Sequence, residues 1–95
     1  MVSYTEKQVA MVSAVSEVLR LRKTMGAMTP EEMMRDLTKF LRYTDKEELK
    51  VLMVAAASKA LSLITKTPGL RDKEVMGMIV QEMPDMISDV EANLR

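Results

Sequence analysis

Acidic side chains near the end of the chain are the residues whose spacing could support chemistry. Glu82, Asp85 and Asp89 recur at intervals of three and four, which places their carboxylates on one side of a helix. Such carboxylates can act as general acids and bases or bind hard metal ions. The chain has neither His nor Cys, which excludes thiol chemistry and the Glu-x-x-His partner of helical di-metal sites. Because Walker loops, dinucleotide-binding glycine patterns and nucleophile elbows are also missing, we predict that the protein is not an enzyme and uses no metal or cofactor.

A stripe of cations lies earlier in the chain, at Arg35, Lys39 and Arg42, again with helical spacing. The 14 Lys and Arg residues balance the 14 Asp and Glu residues, so the net charge is zero and does not indicate a protein that coats nucleic acid. The stripes are either solvated helix faces, or surfaces at which the acidic stripe of one chain meets the basic stripe of another. The second interpretation predicts six partner-binding residues: Arg35, Lys39, Arg42, Glu82, Asp85 and Asp89.

Contact with nucleic-acid phosphates is the alternative function that the cations allow. It would use six residues: Arg20, Arg22, Lys23, Arg35, Lys39 and Arg42. A helix–turn–helix protein would place the start of the third helix against the bases, but residues 45–48 hold three acids and one base, which phosphates would repel. Phosphate contact along the flank of the second helix therefore stays open, and nucleic acid is not the favoured partner.

Helix-capping signals predict the elements that carry these stripes. A Ser or Thr is followed three residues later by Glu, the spacing of a capping box, at Ser3, Thr29 and Thr44, and Asp72 marks a fourth start. Gly26 and the segment at residues 67–69 are stop signals. We predict helices at 4–25, 30–43, 45–66 and 72–94, the last of them kinked but continuous through a proline at position 84. No segment alternates with the period of a strand, so the predicted fold is an all-α four-helix bundle, a single domain over residues 1–95.

The apolar patterns predict how the helices pack. The third helix is Ala-rich and apolar around most of its circumference, which places it at the centre of the bundle. The first helix carries a heptad-like seam beside a second strip at Val9, Val12, Val15 and Leu19, and together they cover about 200° of the helical wheel, twice what a surface helix needs. Four short helices can hardly enclose two such helices, so we predict a homodimer, the commonest closed symmetry. The alternative is a compact monomer that buries both strips. The predicted dimer-interface residues lie on the first helix: Met11, Val15, Val18, Leu21 and Met25.

Methionine is unusually frequent, with 11 residues against three aromatics. Unbranched thioethers fill irregular spaces between helices, and this is the interpretation that we favour. The alternative is an adaptable partner-binding groove, formed by Met76, Met83 and Met86 beside Met33 and Met34.

The termini and apolar runs predict a cytoplasmic protein without membrane contact. Residues 1–7 contain an acid and no apolar core, unlike a signal peptide, and the longest apolar run, residues 51–65, is interrupted by Lys59 and is shorter than a membrane span. Together these patterns predict a non-catalytic, methionine-rich module for protein–protein interaction or oligomerisation, an assembly or accessory subunit whose protein partner the sequence does not identify.

Overall fold

Four α-helices form the chain in the computed structural model, which describes residues 2–25, 29–42, 44 and 46–93. The helices are α1 (Tyr4–Met25), α2 (Pro30–Leu41), α3 (Glu47–Lys66) and α4 (Asp72–Asn93). They confirm the predicted all-α four-helix bundle, and α4 is continuous through its proline, as predicted. The predicted helix ends at residues 43, 45 and 94 lie outside the described residues.

Two of the three predicted caps form. The Ser3 hydroxyl accepts a hydrogen bond from the Glu6 backbone N–H at 3.1 Å. Thr29 and Glu32 form a complete capping box, in which the Thr29 hydroxyl accepts from the Glu32 N–H and the Glu32 carboxylate accepts from the Thr29 N–H. These bonds satisfy N–H groups that the first turn of a helix leaves without partners.

The predicted cap at Thr44 is wrong. Helix α3 begins at Glu47 and its N-cap is Lys46, which makes no side-chain capping bond. Thr44 lies too far upstream to cap the helix, and its hydroxyl instead donates to the Met53 sulfur at 3.5 Å. The sequence spacing is that of a capping box, but the chain enters the helix two residues later than this spacing requires.

Removing the two threonine hydroxyls should therefore have unequal effects. We expect Thr29→Ala to lower the free energy of unfolding by about 1 kcal/mol, the typical value of an N-cap. Thr44→Ala removes only a weak hydroxyl–sulfur contact, and we expect it to have less than about half of that effect. Urea denaturation of both variants measures the difference. Equal losses would contradict the assignment of the caps.

Ion pairs between helices define the directions in which the helices run. Lys7, near the start of α1, pairs with Glu91 near the end of α4, whereas Arg22, near the end of α1, pairs with Asp72 at the start of α4. Helices α1 and α4 are therefore antiparallel. The starts of α1 and α3 lie together, because Lys7 also pairs with Glu48 at 3.0 Å, so these two helices are parallel.

Helices α1 and α3 form a central pair with α2 and α4 on opposite sides. The contact between α1 and α3 is the most extensive in the bundle, and both α2 and α4 contact both members of the pair. In the described part of the chain α2 and α4 do not contact each other, which places them on opposite sides. Buried alanines line this arrangement, with Ala14 on α1 and Ala56, Ala57 and Ala60 on α3. Their small side chains let the two helix backbones approach closely.

The side chains predicted for a dimer interface on the first helix are buried within a single chain wherever they are described. Met11, Val15, Val18 and Leu21 are between 0% and 2% exposed within a single chain, so a second copy cannot reach them. The side chain of Met25 lies outside the described residues. The argument for a dimer requires that only one of four short helices can be enclosed. In this arrangement α1 and α3 each contact all three other helices, so the bundle encloses two.

Little of the second apolar strip on α1 is left uncovered. Val15 and Leu19 are buried, Val12 is half-buried and only Val9 is largely exposed, at 59%. The prediction that α3 is central is consistent with its six buried residues, but α3 shares this place with α1. The apolar circumference of α1 therefore gives no argument for a dimer.

Candidate protein-interaction surfaces

The acidic residues predicted on α4 lie together at the edge of the contact between α4 and α3. Glu82, Asp85 and Asp89, which we call the acidic face, line a shallow groove of about 220 Å³ together with Lys59 of α3 and Met86. Asp85 and Asp89 are exposed, and neither forms an ion pair with a described residue. The Lys59 ammonium lies 3.5 Å from the Glu82 carboxylate. The groove therefore has three carboxylates and one cation on an accessible surface.

Lys59 is the member of this groove that the sequence prediction missed. The only signal for it is that Lys59 interrupts the otherwise apolar run of the third helix. Its pairing with a carboxylate on α4 depends on how α3 packs against α4, which the sequence spacing does not show. Within the described residues, no group of three or more acidic side chains has the arrangement of a metal site.

The cations predicted on α2 also share one surface. Arg35, Lys39 and Arg42, which we call the basic face, are all exposed. Lys39 lies 4.0 Å from Asp36, and Arg35 and Arg42 form no ion pair with a described residue. Arg42 follows the last residue of α2 and keeps helical backbone angles, so all three positions continue one helical register. The opposite side of α2 is buried through Met33, Leu37 and Leu41.

Two of the cations assigned to the nucleic-acid alternative are engaged within the fold. Arg20 binds Glu17 one turn earlier on α1, and this bond, with a smaller contribution from the Asp36 carboxylate on α2, raises the pKa of Arg20. Arg22 pairs with Asp72 and links α1 to α4. Lys23 is exposed. Of these six cations, therefore, only the three of the basic face lie together on one surface and form no ion pair between helices.

The acidic face and the basic face lie on helices at opposite sides of the central pair. Asp36 lies at the edge of α2 that is next to α1, because its carboxylate acts on Arg20 of α1. Glu82 lies at the edge of α4 that is next to α3, because it contacts Lys59. Since α2 and α4 themselves are on opposite sides of the central pair, a single flat partner surface cannot cover both faces.

A buried lysine joins three helices at one end of the bundle. The Lys7 side chain is 10% exposed, and its ammonium group contacts the carboxylates of both Glu91 on α4 and Glu48 on α3. Hydrogen bonds to Glu91, which has the larger effect, and to Glu48 raise the pKa of Lys7 above its ordinary value of 10.5. Lys7 is not among the residues predicted from the sequence, because an isolated lysine on a helix gives no signal of such a role.

Replacing Lys7 should lower the thermal stability. We expect Lys7→Met to reduce Tm by about 5 °C near neutral pH, because it removes a largely buried cation that pairs with carboxylates on two other helices. The raised pKa means that the stabilisation is complete below pH 10.5 and is lost as the pH rises through the higher pKa of the folded state. The difference in Tm between wild type and variant should therefore shrink above that pH. Lys50→Met, which removes a cation 4.0 Å from Glu47 within one helix, is the control and should change Tm by less than about 2 °C.

A second groove lies beside the start of α1. It has a volume of about 350 Å³ and a mainly apolar lining that includes Val9, Ala10 and Leu49. Glu6 stands at its margin with a lowered pKa, chiefly because it accepts a hydrogen bond from Lys46 at 3.0 Å and also because it accepts one from the Ser3 backbone. Among the described residues, the displaced pKa values of Glu6, Lys7 and Arg20 arise chiefly from hydrogen-bonded ion pairs with neighbouring side chains.

The alternative of a methionine-lined groove is wrong. Met33 and Met83 are buried in the core, and Met34, Met76 and Met86 are half-buried against it. Moreover, two of these residues lie on α2 and three on α4, helices on opposite sides of the central pair that do not contact each other. These methionines therefore fill the interior, as the favoured interpretation predicts.

In comparisons with known proteins, no family model, no curated protein and no solved structure matches this chain. The class that the fold and the surfaces define is a small all-α bundle with one acidic and one basic face. Among its described residues, none of the helices has the length and apolarity to cross a bilayer.

Proposed function

We propose that this protein is a non-catalytic interaction module, an assembly or accessory subunit that binds other protein chains through its acidic and basic faces. The observation that carries the proposal is the placement of two groups of like charges on separate, accessible helix surfaces. Within each group, two of the three charged residues form no ion pair with a described residue. Other charged residues of the protein, such as Lys7 and Arg22, link helices instead.

The physical reason for assigning function to these faces is electrostatic. Like charges on one surface repel each other, and a partner of opposite charge relieves that repulsion. Complementary charges also steer association and determine the relative orientation of two proteins more than they add affinity. A rigid helix that is fixed by a buried apolar side presents such charges at defined spacings. Helices α2 and α4 both have this construction, since each buries one side in the core.

The separation of the two faces supports a role in assembly in particular. Because the faces lie on helices at opposite sides of the central pair, one copy can contact two partner chains at the same time. This is the property of a bridging or accessory subunit. A homo-oligomer is one form of such an assembly, and a complex with a different acidic or basic protein is another.

Affinity capture from the native host tests the proposal with matched variants. Arg35→Glu/Lys39→Glu reverses the basic face, and Lys66→Glu/Lys73→Glu makes the same change of net charge at exposed positions outside both faces. We expect the recovery of partner chains to fall at least about tenfold for the first variant and to stay unchanged for the second. Equal recovery with both variants would refute the proposal. Loss of the captured proteins after nuclease treatment would instead support the nucleic-acid alternative.

A further inference from the structure

We infer that the basic face of one copy binds the acidic face of a second copy, so that the chain assembles head to tail. The inference rests on the proposed interaction function and names its partner. It starts from a match in spacing. Arg35, Lys39 and Arg42 are separated by four and then three residues. The acidic face, taken in the reverse direction from Asp89 through Asp85 to Glu82, has the same intervals.

This match defines an antiparallel register. At a rise of about 1.5 Å per residue, the charges of each face stand at about 0, 6 and 10.5 Å along the helix axis. When α2 of one copy lies antiparallel to α4 of the next, Arg35 is level with Asp89, Lys39 with Asp85 and Arg42 with Glu82. In the parallel orientation only the outer positions coincide. All three cations therefore meet a carboxylate in the antiparallel arrangement.

Both helices keep the regular geometry that this register requires. Arg42 continues the helical backbone of α2, and α4 is continuous from Glu82 to Asp89. Each face also contains one compensating charge, Asp36 near Lys39 and Lys59 near Glu82. These compensating charges lower the net charge of the two faces by equal amounts. Four charged groups form no ion pair with a described residue and stay available to a second copy: Arg35, Arg42, Asp85 and Asp89.

The positions of the faces determine the symmetry of the assembly. Two copies related by a two-fold axis would have to present both faces to each other on one common surface. The faces lie on helices at opposite sides of the central pair, so we expect a single neighbour to bind only one of them. The contact is therefore heterologous, and each copy keeps one free acidic face and one free basic face for further copies. Exposed charge pairs are individually weak and are screened by salt, so the assembly should form at low ionic strength.

Sedimentation of the purified chain tests the inference. At about 0.02 M salt we expect the average mass to increase with protein concentration beyond that of two chains, and at about 0.5 M salt we expect a mass near that of one chain. A constant mass of one chain at low salt, or a plateau at two chains, would overturn the inference. Because the capture experiment does not depend on self-association, it can succeed while this one fails. The proposed function would then stand with a different partner.

Two double variants of unchanged net charge test the register. Arg35→Glu alone should weaken association about three- to tenfold, because it replaces an attraction with a repulsion by placing a carboxylate level with Asp89. Arg35→Glu/Asp89→Arg restores that pair in reversed polarity and should recover association. Arg35→Glu/Glu82→Arg has the same net charge but would restore a pair only in the parallel register, so it should stay weak. Recovery by the second double variant instead of the first would overturn the antiparallel register, and recovery by neither would overturn the contact. Circular dichroism checks that all of the variants are folded.

Discussion

The Val15→Glu protein is expected to be unfolded at neutral pH. Val15 is 0% exposed in the core, on the side of α1 that the other three helices enclose. A carboxylate at this position would lose its hydration without gaining a cation, and the penalty for an ion in a protein interior is several kcal/mol. Domains of this size are stable by only about 5–15 kcal/mol. Circular dichroism and urea denaturation measure the loss of helix and of the unfolding transition.

The same substitution six residues earlier in α1 provides the control. Val9 lies on α1 as well but is 59% exposed, so Val9→Glu should change the free energy of unfolding by less than about 0.5 kcal/mol. The two variants also distinguish between two interpretations of the first helix, enclosure within one chain and an interface between copies. If its apolar seam were an interface between copies, Val15→Glu would give a folded monomer with wild-type helix content. That result would contradict the enclosure of α1 within one chain.

Leu37→Ala is expected to lower the free energy of unfolding by about 2–5 kcal/mol. Leu37 is fully buried and is the middle one of the three residues, with Met33 and Leu41, through which α2 packs on the central pair. Helix α2 is the shortest helix and has the least extensive contacts, so no neighbouring element can readily fill the cavity. Urea denaturation measures the loss, and hydrogen exchange should show that the amides of α2 lose protection before those of α3.

This second prediction connects stability to the proposed function. The basic face has a defined spacing only while α2 is held as a helix by its buried side. Thr38→Ala is the control, because Thr38 is exposed and its hydroxyl donates only to the Met34 carbonyl of the same helix, at 2.8 Å. It should leave stability within about 0.5 kcal/mol of wild type. If Leu37→Ala were equally mild, α2 would not depend on this contact for its position.

Local signals in the sequence were sufficient to locate the helices. Capping boxes at Ser3 and Thr29, the stop at residues 67–69 and the 3.6-residue period are short-range features, and they act through bonds within a few residues. The same reasoning placed the two charged stripes on single helices, since spacings of three and four define a face whatever the helix packs against. The failure at Thr44 shows the limit of such signals. A capping spacing works only if the chain enters the helix at that residue, and the entry to α3 begins two residues later.

The sequence alone determined four helices, the side of each helix that avoids water, and the periodic stripes of charge. Only the tertiary structure decided which helix covers which side. An apolar side of a helix indicates that this side must be buried but not which helix buries it. Burial requires two surfaces, and the topology determines which two come together. Here α1 and α3 run parallel in close contact, and α2 and α4 cover them from opposite sides, so the wide apolar arc of α1 is closed within one chain. The same arrangement brought Lys59 to the acidic face and Lys7 to its two carboxylates, pairings between residues far apart in the sequence that no local spacing encodes.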